Sequence, residues 1–223
     1  MTTARSLIDK TAGYVKTKLY NEASGHDWYH VERVWKMARK LQAAEGGDLE
    51  LIELSALLHN LGDHDFYKFS EKKGSLILFG MMDIIGIEEP IKDQIITVVN
   101  ESKYGGIETR KPRTLEGRIV QDANFLDTLG AIGVARHFAS GGYHGRLIYD
   151  PDIKVRAKLT RYAYEHQKDR GTSINNFYEK AFRVAELMNT DTAKKIAQEK
   201  VVYIKNYVEQ FLKEWDEYAK MQF

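Results

Sequence analysis

Segment after segment of this chain spaces its apolar residues three and four apart, and prolines, which break such a pattern, occur only at Pro90, Pro112 and Pro151. That combination leaves little room for anything but helices. Residues 27–45 place His30, Val34, Met37, Ala38 and Leu41 on one face behind Asp27 as the N-cap. Residues 48–62 place Ile52, Ser55, Ala56 and His59 on one face behind Asp48, and residues 114–127 place Ile119, Asp122, Ala123 and Leu126 behind Thr114. The stretch 191–219 repeats Ile196, Ala197, Ile204, Val208, Phe211, Leu212 and Trp215 at the same spacing. Apolar runs at 75–82 and 95–99 would pass for strands in isolation, but they lie between helical patterns, and no alternation supports a sheet. Loops at 102–113 and 139–152 carry Gly-Gly pairs and a proline each. The expectation is an all-α fold, one domain over 1–223, with helices of about 150–223 packed on a core of about 25–130.

Composition narrows the function classes. A formal net charge of +1 gives no global field toward nucleic acid or membrane, and no nucleic-acid-binding module is recognisable. The absence of cysteine excludes disulfides, thiolate metal sites and a cysteine nucleophile, and it fits a reducing cytoplasm. The N-terminal MTTARSLIDK has no apolar signal core, and no apolar run approaches the roughly 18 residues that span a bilayer. A cytoplasmic location is therefore expected. No P-loop, HExxH or dinucleotide fingerprint is present.

The informative residues are polar ones on apolar helix faces. A buried imidazole or carboxylate is costly unless it is paired, hydrogen-bonded or bound to metal. His30 lies four residues before Val34, His59 three after Ala56, and Asp122 three after Ile119, so each points inward with its neighbours. Singly, each has a bland explanation as a hydrogen-bonded core residue or a cap. Together, from three separate helices, they suggest one buried metal site. A mixed imidazole and carboxylate set suits one divalent ion such as Mn²⁺, Fe²⁺, Zn²⁺, Ni²⁺ or Co²⁺, with Mg²⁺ less natural because it prefers oxygen. Such a centre acidifies water and polarises a phosphoryl oxygen, which fits hydrolysis of a phosphate ester or anhydride.

These residues sit in GHDWYHVERV, LLHNLGD and TLEGRIVQDANFLDTLGAIGVAR, followed by GGYHGRLIYDP, TSINNFYEK and a closing helix. Collinear over nearly the whole chain, they resemble the HD-domain phosphohydrolases, in particular the small stand-alone bacterial ones. The resemblance implies an HD-domain helical bundle with additional C-terminal helices and phosphate substrates, frequently nucleotides. It implies a metal held by His30, His59, residue 60 and Asp122, with His26, Asp63 and Lys68 nearby. This chain departs from the pattern at Asn60, where an aspartate belongs, at Asn124-Phe125 in place of Asp-Arg, and at Asn176 in place of histidine. An amide offers one neutral oxygen and no anionic bridge, so the ion is held more weakly and a bridged two-metal centre is disfavoured.

Other roles keep two readings. Asp63 shares the His59 face as a general base or orienting group, or else ends a helix. His26, just outside its helix, is a proton donor or a turn residue. Arg33 meets a phosphate or an ion-pair partner, Lys68 a phosphate entrance or solvent, and Arg146 a phosphate from its Gly-rich loop. Tyr162, Tyr164, Phe177, Tyr178 and Trp215 read as core. The leading function is a divalent-metal-dependent phosphohydrolase acting on a nucleotide or small phosphate compound, with Asp63 and His26 as catalytic groups. The alternatives are a degenerate HD domain that binds nucleotide or metal as a sensor without turnover, and a purely structural helical module.

Overall fold

The computed structural model describes residues 3–61 and 71–219. Within them the chain is helical without strands, as expected, apart from an isolated bridge between Leu147 and Thr172. The helices are α1 (Thr3–Leu19), α2 (Trp28–Glu45), α3 (Leu49–Leu58), α4 (Glu71–Ile85), α5 (Ile91–Glu101), α6 (Leu115–Leu126) and α7 (Gly130–Tyr143). After them come α8 (Arg161–His166), α9 (Ser173–Asn176), a π-helical turn (Phe177–Ala181), α10 (Phe182–Glu186) and the long α11 (Asp191–Ala219). The apolar runs at 75–82 and 95–99 fall inside α4 and α5.

Local chemistry sets the helix ends. Asp27, Asp48 and Thr114 each accept a hydrogen bond from a first-turn N–H, from His30, Leu51 and Gly117 respectively, which satisfies donors that have no partner within the helix. Gly46 stops α2 in the left-handed region, at φ 85°, with its N–H bonded to the Gln42 carbonyl.

From Leu51 to Leu58 every residue of α3 is buried and all but Glu53 and Ser55 are apolar, so this helix must lie at the centre. It is wrapped by α1, α2, α5 and α6, while α11 lies across α2, α6 and α7. The helical pattern over 48–62 ends earlier than expected: α3 stops at Leu58 and His59 caps it. Of the aromatic residues expected in the core, Phe177 is fully buried, whereas Tyr162, Tyr178 and Trp215 are exposed. No helix among the described residues is long and apolar enough to cross a membrane.

Candidate functional site

His30 stands in the first turn of α2, fully buried, and its backbone N–H is held by the Asp27 cap at 2.8 Å. His59, also buried, stands at the C-terminal end of α3. The His30 Nδ1 meets the Asp127 carboxylate at 2.7 Å and the His59 Nδ1 meets the Ala56 carbonyl at 2.8 Å. Both partners are acceptors, so both Nδ1 atoms carry the proton and both Nε2 atoms are bare lone pairs. Those two Nε2 atoms face each other at 3.1 Å. Burial pushes the His59 imidazole down to about 4, and burial together with the Arg136 charge holds His30 well below the usual histidine value. At neutral pH neither ring therefore brings a second proton to lie between the lone pairs. Two converging lone pairs with no hydrogen to share could hold a cation between them. A fixed Nδ1–H donating to a carboxylate or a carbonyl is also the usual way a metal-ligating histidine is oriented.

Asp127, one residue past the end of α6, is the carboxylate that meets this pair. It accepts Nε and a terminal nitrogen of Arg33 at 2.8 and 3.0 Å, and lies 3.3 Å from an Arg136 terminal nitrogen. Arg136 in turn donates to the Gly25 carbonyl at 2.6 Å, tying α7 to the loop before α2. Arg33 thus has an ion-pair partner, the second of its two sequence readings.

Asp122 is buried as expected, but its partners lie elsewhere. One of its oxygens accepts the Asn189 backbone and side-chain N–H groups, both at 2.8 Å, and the other accepts the Thr190 N–H at 2.8 Å and the Thr190 hydroxyl at 2.7 Å. These four bonds fix the start of α11. Helical periodicity aimed Asp122 inward, and the partners it meets there are the residues that open α11.

Asn60 is buried, and its side-chain nitrogen has no hydrogen-bond partner among the described residues. Phe125 lies in the core, edge-on to Tyr104 at 6.0 Å. Asn176 donates to the His137 Nδ1 at 2.8 Å. Asp63 and Lys68 lie outside the described residues.

His26 packs edge-on against His30 with ring centroids 5.6 Å apart, and its Nδ1 lies 2.9 Å from the Ser24 hydroxyl. Glu22 braces this loop by accepting the N–H groups of Ser24 and His26, each at 2.8 Å. From there His26 looks into two adjoining cavities of about 310 and 410 Å³ that share it with Ser140, Asn176 and Lys180. Arg136 lines the smaller one and Arg146, Arg156, Lys168 and Tyr164 line the larger. Every charged side chain lining them among the described residues is basic, so the cleft is built for an anion. Arg146, expected as a phosphate contact, is on its wall. Asp127, Arg136, Arg156, Tyr164 and Lys180 were not anticipated from the sequence. For Asp127 a signal existed, since an acid at a helix C-terminus opposes the dipole and needs a cationic partner.

A family model described as HD domain matches residues 27–129. The chain is 32% identical over 208 residues to protein YpgQ of Bacillus subtilis, covering 90% of each. It is similar to a crystal structure from Lactobacillus plantarum, with a TM-score of 0.84 and 34% identity over 97% of this chain and 99% of that one. An HD-superfamily hydrolase from Bacillus thuringiensis matches with a TM-score of 0.70 and 39% identity over 96% and 99% of the two chains. YpgQ crystallised in complex with ADP matches with a TM-score of 0.69 and 28% identity over 93% and 97%.

Proposed function

Since the chain belongs to the HD-domain family, we propose that it is a divalent-metal-dependent phosphohydrolase acting on a nucleotide or a related small phosphate compound. The facing Nε2 atoms of His30 and His59, 3.1 Å apart with both Nδ1 protons tied to acceptors, carry this reading. They are the residues that would hold an ion, with the neighbouring Asn60 amide as a neutral third donor. Two imidazoles and an amide suit Co²⁺, Ni²⁺, Zn²⁺ or Fe²⁺ better than Mg²⁺. Bound there, a divalent ion supplies Lewis acidity toward a phosphoryl oxygen and acidifies water.

The remaining work falls to the protein. Arg136 and Lys180 offset phosphate charge in the part of the cleft beside His26, and Arg146 does so further along it. His26, against His30 and open to both cavities, is placed to hand a proton to a leaving oxygen. Asp127 keeps the His30 tautomer fixed. YpgQ's crystallisation with ADP supports a nucleotide as the ligand class.

A second reading, binding without turnover, is favoured by Asn60 in place of a carboxylate and by the commitment of Asp122 to α11. One assay separates the two. Phosphate and pyrophosphate release from a nucleotide panel is measured with added Mn²⁺, Co²⁺ or Ni²⁺, for wild type, His59→Ala and Asn60→Asp. Turnover by wild type that His59→Ala abolishes is expected. Turnover by Asn60→Asp alone would establish a binding protein on a hydrolase scaffold, and silence from all with every ion would remove the hydrolase reading.

A further inference from the structure

The larger cavity holds a pair of guanidiniums: Arg146, with only a general phosphate role, and Arg156, which the proposed chemistry leaves unused. Glu179 is 1% exposed, and both of its carboxylate oxygens are spent on Arg156. One takes the Arg156 backbone N–H at 2.8 Å, and the other takes Nε at 2.9 Å and a terminal nitrogen at 2.6 Å. The other terminal nitrogen reaches the Gln167 carbonyl at 3.5 Å. A guanidinium has five N–H donors in a rigid fork, so Arg156 keeps one outward N–H on each terminal nitrogen. Arg146, on the same cavity wall, has no carboxylate partner among the described residues. One terminal nitrogen meets the Ser140 hydroxyl at 3.3 Å, and its Nε is buried without a partner. It is a largely buried cation whose neighbouring guanidinium has already taken the available carboxylate.

As a mere clasp, the Glu179–Arg156 pair would fasten the 150–160 segment to the π turn that carries Glu179. A clasp does not need a second, uncompensated guanidinium beside it. Two forks on one wall, one held rigid and one lacking its counter-charge, fit an anion with oxygens to spare for both. The two cavities also adjoin through His26, Ser140, Asn176 and Lys180, so one ligand can extend from His26, which packs against His30, to this wall.

Resting on the phosphate reading of the cleft, we propose that Arg146 and Arg156 form a subsite for the second phosphoryl group of a ligand carrying linked phosphates. Glu179 is the positioning residue that sets the Arg156 fork. The subsite selects diphosphate- or triphosphate-bearing compounds over monophosphates.

Calorimetric titration of the full chain with ADP and with AMP tests this. Wild type is expected to bind ADP at least about tenfold more tightly than AMP. Arg146→Ala and Arg156→Ala are expected to bring ADP down to the AMP level while AMP affinity changes little. Glu179→Gln is expected to match Arg156→Ala, and Arg156→Lys to recover only part of the preference, because a point charge does not replace the fork. Circular dichroism checks that each variant is folded, and if Glu179→Gln unfolds, the two arginine variants decide. Equal ADP and AMP affinity in wild type, or a preference that survives both arginine variants, would overturn the subsite and leave the phosphate reading standing. Binding of neither nucleotide would overturn both.

Discussion

Asp122→Ala removes the acceptor of four hydrogen bonds at once. The Asn189 side chain keeps its 2.9 Å bond to the Gln121 side-chain Oε1, but the backbone N–H groups of Asn189 and Thr190 and the Thr190 hydroxyl lose their partner. An unsatisfied buried donor costs about 1–3 kcal/mol, which puts the gross loss for the two amides and the hydroxyl at roughly 3–9 kcal/mol. Relief from burying a charge offsets part of this, because burial raises the Asp122 carboxyl above its ordinary value even against those four bonds. A net loss of about 3 kcal/mol is expected, a large share of the roughly 5–15 kcal/mol that holds a domain folded. Asp122→Asn fares no better, since its amide nitrogen must point at donors whichever way it turns. Urea unfolding at pH 7, followed by circular dichroism, reads the effect as a lower midpoint at unchanged slope. Co²⁺ affinity is measured on the same samples and should hold in the variant while it remains folded. A loss under about 1 kcal/mol, or intact stability with abolished ion binding, would refute the argument and return Asp122 to the ion.

Asp127→Asn takes from Arg33, Arg136 and His30 the charge of their shared partner and one of its two acceptor oxygens. It should lower ion affinity about 10–100-fold by calorimetry, as loss of a group orienting a ligand does. Co²⁺, Ni²⁺ or Zn²⁺ should raise the melting temperature of wild type but not of His59→Ala, the gain reaching about 2.7 kcal/mol at one hundred times Kd. In EDTA, stability should fall as pH drops from about 6.5 toward 4. Folded His59 takes its proton only near 4 and folded His30 and His137 lie well below 6.5, while the unfolded chain binds those protons earlier. Each histidine contributes a slope of up to about 1.4 kcal/mol per pH unit, and a urea midpoint that stays level over that range would contradict their neutral burial.

The caps at Asp27, Asp48 and Thr114 and the extent of α11 were legible in the sequence because they depend on residues within a turn of one another. His30 and His59 were legible as inward-facing, since periodicity fixes which face of a helix is apolar. It does not fix which neighbour that face meets. Asp122 illustrates the difference: it is buried as expected, yet it meets residues 67 and 68 positions away in sequence. Asp127 escaped notice because its signal, an acid at a helix C-terminus, is one of charge and not of period. Arg156 and Tyr164 reach the cleft from short segments with too few turns to show a period, and Lys180 does so from a turn whose π-helical spacing breaks it.

The way the two imidazoles are tied has a consequence for how the centre fills. An unconstrained histidine pair must shed protons and turn its rings before it can take an ion, so its loading tracks acidity and competes with the medium. Here the rings are already neutral and already turned, each anchored on its far side by Asp127 or by the Ala56 carbonyl. Loading should therefore exchange no protons with the medium across the neutral range. Its calorimetric heat should be the same in buffers of very different ionisation enthalpy, as for a socket cut before its contents arrive.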